Sequence, residues 1–358
     1  MGNDNDPSNA YTGTQPVVAR NAFDEARLLA WLRPRMPGLD GPVQIAQFKG
    51  GQSNPTFLLA AGERRFVMRR RPPGQLLPSA HAVDREYRVI GALAGTDVPV
   101  AKVHVLCQDP EVIGTDFYVM DHVDGRIFWD PQLPGMSGAE RGAIYDEMNR
   151  VMAALHRVDP AATGLADYGQ PGGYMARQVA RWTRQYKAAE TEPIAAADAL
   201  IAWLPQHLPA QSETRIVHGD YRLDNVIFHP SEPRILAVLD WELSTLGDPL
   251  VDFAYHCMSW RMAPGAARGL AGADLAALGI PTEAEYRALY MARCGRHAPV
   301  SDADWTCYLV FNMFRLVGIL QGIAKRACQG NASNATAVET GKRARPLAEQ
   351  AWALARTL

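Results

Sequence analysis

Asp220 and Asn225 stand five residues apart in the segment Ile216-Val217-His218-Gly219-Asp220-Tyr221-Arg222-Leu223-Asp224-Asn225. A second carboxylate, Asp240, follows twenty residues after Asp220 in Val238-Leu239-Asp240-Trp241-Glu242. A loop with one carboxylate and one amide, beside a strand that ends in another carboxylate, can hold Mg2+. That ion prefers hard oxygen ligands and is normally bound by one or two carboxylates together with substrate phosphates. Asn225 and Asp240 are the expected metal ligands, which leaves Asp220 to accept a proton from a hydroxyl nucleophile. His218 reads as a packed, hydrogen-bonded orienter rather than a base. Downstream, Asp248 before Pro249 makes an N-cap and first-turn pair, and Asp252 is expected to bond backbone groups of the catalytic loop. An isolated His-Gly-Asp is an ordinary turn, so the weight lies on the set.

The elements that must carry these residues divide the chain by texture. Residues 1–20 read as a mobile tail, and Ala22–Met36 as a first helix with Asn21 as its N-cap. Alternation over 43–48, 56–60 and 65–69 predicts strands, a helix follows over Ser79–Ala94, and Val100–Leu106 and Phe117–Met120 read as two more strands. Beyond Gly125 the chain turns helical. Ser137 with Glu140, Thr282 with Glu285 and Ser301 with Asp304 each announce a helix start, and Thr214–Trp241 is the exception, with short apolar runs flanking a turn. The expected architecture is α+β: a small, mostly antiparallel lobe over 21–120, a connection over 121–125 and a larger helical lobe over 126–358.

His-Gly-Asp-x-x-x-x-Asn followed by Asp-Trp-Glu resembles the Brenner motif and metal-binding Asp of the aminoglycoside phosphotransferase/choline kinase-like family, which is related to the protein kinases. Gly247-Asp248-Pro249-Leu250-Val251-Asp252-Phe253-Ala254 resembles the segment that follows in that family. The resemblance implies a protein-kinase-like fold with a cleft between its two lobes. It also implies ATP with Mg2+ as phosphoryl donor, transfer to a hydroxyl of a small molecule, Asp220 as catalytic residue, and Glu242 in a supporting place after Asp240.

By the same resemblance, Gly50, Gly51, Gln52, Ser53 and Asn54 occupy the position of a nucleotide-covering loop, where glycines let backbone N–H groups approach phosphates. Taken alone, Gly-Gly in a hairpin is commonplace. Phe66-Val67-Met68-Arg69 takes the place of the kinase strand that bears the phosphate-contacting Lys, so Arg69 replaces it, with Arg70 and Arg71 as neighbours. Glu86, on the flank of the apolar stripe Val83, Tyr87 and Ile90, is the implied partner of Arg69; a surface Glu paired near Arg85 or Arg88 is the bland alternative. Val119–Gly125 resembles a kinase hinge, with the Asp121 carbonyl and Val123 N–H offered to an adenine edge and Met120 at the back of the pocket.

Arg177, Arg181 and Arg184 run along one side of a helix over Gly173–Lys187. A charge run of this kind is usually a solvated face, and the sharper reading is a stripe that recognises substrate phosphates. The chain is also similar to the kinase-like domain fused to acyl-CoA dehydrogenases, which implies a hydroxyacyl-CoA acceptor, whereas polycationic aminoglycosides call for a more acidic pocket. Two other classes stay open: a catalytically silent nucleotide-binding module, and a metal-dependent hydrolase using His218, Asp220 and Asp240.

Bulk composition narrows the classes further. Over 358 residues, 36 basic and 38 acidic side chains give a net charge of −2, which argues against a nucleic-acid or polybasic membrane binder. Five cysteines without a CxxC spacing suit reduced thiols in the cytoplasm. The most apolar stretch, Tyr308–Ala324, is interrupted by Asn312, Arg315 and Gln321 and reads as a buried helix rather than a membrane span.

Overall fold

The computed structural model describes residues 13–50, 54–73, 81–211, 213–264, 269–329 and 337–358. Strands β1 (Thr14–Gln15), β2 (Gln44–Phe48), β3 (Thr56–Ala61), β4 (Arg64–Arg70), β5 (Val103–Cys107) and β6 (Phe117–Asp121) form one antiparallel sheet in the order β1-β2-β3-β4-β6-β5. Its alternation divides the labour between two faces. Phe57, Leu59, Phe66, Met68, Phe117 and Val119 point into an apolar core closed by Leu28 and Leu32 of helix α1 (Glu25–Leu32) and by Val112 and Ile113 of the short α3 (Pro110–Ile113). The opposite face carries Thr56, Val67, Arg69, Tyr118 and Met120. Helix α2 (Val83–Leu93) brings Glu86 to Arg69 and Tyr118 on that face.

Three sequence expectations change here. Part of the 1–20 tail is ordered as the edge strand β1, which pairs Thr14 with Phe48. Helix α1 starts at Glu25 rather than Ala22, because Asp24 accepts the Arg27 N–H at 2.9 Å and so supplies the cap. Asn21 instead ends a single 3-10 turn, Ala19–Asn21. Finally, Glu86 lies at the centre of the buried face of α2, 1% exposed, not on its flank; residues 79 and 80 of the expected helix lie outside the described residues.

The chain forms two compact units, residues 1–129 with 223–244, and residues 130–222 with 245–358. The second begins with α4 (Gly138–Arg157), whose start is a full Ser137/Glu140 capping box. It continues through α5 (Tyr174–Ala189), α6 (Ala195–Trp203) and β7 (Arg215–Val217). The chain then re-enters the first unit as a 3-10 turn, Leu223–Asn225, and the hairpin β8 (Val226–Phe228) and β9 (Ile235–Val238). This segment falls outside the helical lobe expected from sequence because its backbone bonds go elsewhere. Arg126 exchanges bonds with Phe228, and the Val238 N–H reaches the Pro99 carbonyl at 2.9 Å.

The second unit resumes with β10 (Thr245–Gly247), antiparallel to β7, then α7 (Pro249–Cys257), α8 (Leu275–Leu278), α9 (Glu283–Arg293), α10 (Asp302–Cys328), α11 (Ala337–Lys342) and α12 (Ala344–Ala355). By length and composition α10 could cross a membrane, yet 72% of its apolar window is buried inside the protein. Its Asn312 is fully buried and donates to the Val251 carbonyl at 2.9 Å, a bond that ties α10 to α7.

His256 of α7 is also buried, with its Nε2 2.9 Å from the Tyr286 hydroxyl, and burial lowers its imidazole to about 4. The folded state therefore binds fewer protons than the unfolded chain between pH 6.5 and about 4, and this group's contribution to stability is lost as pH falls through that window. His256→Gln is expected to reduce that acid sensitivity. The stability difference between variant and wild type should change by roughly 3 kcal/mol between pH 7 and 4, as read from denaturant midpoints; parallel curves would show that His256 does not titrate this way.

Candidate active site

In the first unit, a cavity of about 430 Å3 opens on the face of the sheet that bears Arg69. Val67, Ala101, Met120, Ile227 and Leu239 supply apolar wall, and Gly50, Arg69, Asp121, Val123 and Asp240 also line it. Gly125 closes one side. A Cβ there would meet the Phe228 carbonyl oxygen at 2.2 Å, so only glycine lets the linker lie against the β8–β9 hairpin. Gly51, Gln52 and Ser53 lie outside the described residues.

Arg69 organises the charged wall. Its Nε is 2.9 Å from Glu86 Oε2, its Nη2 is 2.5 Å from Asp240 Oδ1, and Glu242 Oε2 stands 3.7 Å away. Strand register explains the aim, since Arg69 pairs across the ladder with Thr56 on one side and Tyr118 on the other, all on the cavity face. Arg70, next in the chain, points to the core face and lies over the Phe23 and Phe57 rings. Burial acts against the Arg69 charge, but Glu86 and then Asp240 outweigh it and hold the guanidinium above its ordinary pKa. Glu86 accepts from the Tyr118 hydroxyl at 3.2 Å and from Asn54 Nδ2 at 2.8 Å. Burial raises its carboxyl, against which Arg69 and these two donors act.

Asn54 is thus a correction. Expected in the loop over the nucleotide, it is instead fully buried and holds Glu86, with its Oδ1 3.0 Å from His81 Nδ1. Glu86 likewise stands behind Arg69 rather than on the cavity wall.

Asp240 has a left-handed backbone, φ 64°, at the end of β9, and its side chain is 32% exposed. The Leu239 N–H donates to the Asn225 carbonyl at 2.8 Å, which sets Asn225 beside the residue that precedes Asp240. An amide and an accessible carboxylate are the hard-oxygen donors that Mg2+ accepts, so these residues fit that ion. Among the described residues no group of three or more His, Cys, Asp and Glu side chains could form an all-protein metal cage. A metal held here would draw its remaining ligands from phosphate and water.

The second unit holds the His218-Gly219-Asp220 loop between β7 and residue 222. Gly219 has φ 84°, a turn that a side chain would strain. Asp252 of α7 accepts the N–H groups of His218 at 2.7 Å and Gly219 at 2.9 Å, and His156 Nε2 lies 3.2 Å from it. Burial works upward on the Asp252 carboxyl, but the His156 bond and the backbone donors hold it below its ordinary value. Asp248 caps α7 through the Leu250 N–H at 2.9 Å, and burial pushes its carboxyl up to about 6. His218 is fully buried and its Nδ1 accepts the Asp220 N–H at 3.2 Å. That geometry counts against the hydrolase reading, which needs this imidazole turned to a metal.

Sequence reasoning missed three side chains of this loop's surroundings: His156, Tyr255, whose hydroxyl donates to Asp220 Oδ1 at 2.5 Å, and Arg315, whose Nη2 donates to the Gly219 carbonyl at 2.6 Å. The available signal was helical spacing, since Tyr255 follows Asp252 by three and shares its face. The basic run on α5 shows two behaviours: Arg177 turns back to the carbonyls of Gly172 and Gln170, whereas Arg181 and Arg184 are exposed.

Residues 44–289 match the family model described as the phosphotransferase enzyme family. The chain belongs to that family. Its fold is kinase-like: a structure from Ralstonia eutropha JMP134, assigned provisionally by name to the aminoglycoside phosphotransferases, is similar with a TM-score of 0.86 and 59% identity over 94% of this chain and 99% of that one. A thermostable mutant of aminoglycoside phosphotransferase APH(4)-Ia, solved with AMP-PNP and hygromycin B, shares the fold at a TM-score of 0.58 and 16% identity over 89% of this chain and 95% of that one. Among curated relatives, mouse acyl-CoA dehydrogenase family member 10 is 49% identical over 95% of this chain and 32% of its own length. Mouse family member 11 is 42% identical over 94% of this chain and 44% of its own. This phosphotransferase-family chain therefore spans less than half the length of either relative.

Proposed function

We propose that this member of the phosphotransferase family transfers the γ-phosphoryl group of ATP to a hydroxyl of a small molecule, and that the acceptor is a hydroxyacyl-CoA. The observation that carries the donor half is Arg69, held between Glu86 and Asp240 on the wall of a cavity large enough for a nucleotide. Its guanidinium binds phosphate oxygens, while Met120, Asp121 and Val123 receive the base. Asn225 and Asp240 would hold Mg2+, which when bound neutralises phosphate charge. Phosphoryl transfer has a largely dissociative transition state, so positioning and charge neutralisation do most of the work. Asp220 takes the acceptor hydroxyl proton, on a loop that Asp252 fixes through two N–H bonds.

The acceptor class is supported by the name that both curated relatives bear, acyl-CoA dehydrogenase family, and by exposed Arg181 and Arg184, which suit an acceptor rich in phosphates. Five unpaired cysteines support a reducing compartment such as the cytoplasm. Incubation of the protein with labelled ATP, Mg2+ and a panel of hydroxyacyl-CoA thioesters, free hydroxy acids and aminoglycosides tests the reading. Label is expected on the thioesters; transfer to the aminoglycosides alone would overturn the acceptor, and transfer to no compound the activity.

A further inference from the structure

Helix α7 grips the catalytic loop at two points one turn apart. Asp252 binds its backbone, and Tyr255, on the same face, binds the carboxylate of Asp220 through its hydroxyl at 2.5 Å. Tyr255 is 6% exposed, and the Arg315 guanidinium lies over its ring, 4.8 Å from the centroid. Arg315 comes from the middle of α10, is 7% exposed and donates to the Gly219 carbonyl. Arg222 Nε approaches the same oxygen of Asp220 at 3.3 Å. Two buried polar side chains, Tyr255 and Arg315, are therefore committed to two adjacent loop residues, Asp220 and Gly219, and neither has a part in the transfer proposed for Asp220. Burial and then the Asp220 charge raise the Tyr255 phenol above its ordinary value, so it stays a donor at neutral pH.

We propose that Tyr255 is a positioning residue for phosphoryl transfer, its hydroxyl setting the orientation of the Asp220 carboxylate while Arg315 fixes the phenol ring and the Gly219 peptide together. This rests on the role given to Asp220 in the preceding section. In that step the acceptor oxygen forms a bond to the γ-phosphorus, and the bond from phosphorus to the bridging oxygen breaks with its electron pair leaving on ADP. The acceptor proton passes to Asp220. A carboxylate whose plane is set in advance spends no orientational freedom at the moment of reaction, and misplacement of such a group is costly in rate.

Tyr255→Phe deletes the hydroxyl and keeps the ring under Arg315. With MgATP and a hydroxyacyl-CoA probe, kcat is expected to fall about tenfold, with KM for ATP and the melting temperature unchanged. In an Asp220→Asn background the same substitution should change the single-turnover rate less than twofold, because the carboxylate it orients is gone; groups that act as a unit are non-additive in this way. A tyrosine with only a structural role would slow both backgrounds equally. Such equal losses, or wild-type kcat in Tyr255→Phe, would overturn the positioning role and leave the phosphotransferase reading standing. A wild-type protein that transfers phosphate to no probe would overturn that reading, and the positioning role with it.

Discussion

Asp220→Asn is expected to slow phosphoryl transfer by ~10²–10⁴-fold, the usual range for loss of a general base. Asn keeps the shape and a hydrogen-bonding oxygen for Tyr255, so the His218-Gly219-Asp220 loop should hold its conformation. What disappears is the negative charge that accepts the acceptor proton. Nucleotide affinity should stay within a few-fold, because the residues assigned to ATP lie on other elements. Single-turnover transfer from labelled ATP, beside an ATP titration of the same variant, separates the two effects. Turnover near the wild-type rate would remove Asp220 from the mechanism.

Arg69→Ala should do damage of another kind. Glu86 is 1% exposed and would keep only two neutral donors, Tyr118 and Asn54. Removing one partner of a buried ion pair typically costs about 3–5 kcal/mol, since the remaining charge is left uncompensated. The variant should therefore unfold at a clearly lower denaturant midpoint and bind ATP more weakly. Adding Glu86→Gln should recover part of the stability, because the buried charge is then gone, but none of the affinity. Arg69→Lys should fall between, with the charge kept and the forked geometry lost. A stable Arg69→Ala protein with unchanged ATP affinity would shift the phosphate contact to Arg71, the next residue in phase with Arg69.

Much of this arrangement was legible because it is local. Alternation over 56–60 and 65–69 gave both the strands and the face of Arg69, and Ser137/Glu140 and Thr282/Glu285 marked helix starts that the structure caps in full. The same logic misplaced the first cap, since Asn21 and Asp24 are both good caps and only tertiary packing chooses between them. Asn54 was misread because an amide that turns inward just after a Gly-rich sequence has the same sequence signature as one facing a ligand. Tyr255 and Arg315 were invisible for a different reason: their partners are 35 and 96 residues away in sequence. Long-range polar contacts of single side chains leave no periodicity to read.

The return of residues 223–244 to the first unit bears on how the protein is made. Val238, Leu239, Asp240 and Trp241 line the cavity, so a ribosome that has released residues 1–129 has built the sheet without one wall of that cavity. The residues of the Arg69–Glu86 pair have both emerged by then, but the carboxylate of Asp240 arrives only after most of another domain's worth of chain. At about 5–20 residues per second that interval is on the order of ten seconds. For that interval the apolar wall that Ile227, Val238, Leu239 and Trp241 supply is missing, so the cavity is completed only after residues 130–222 have been made.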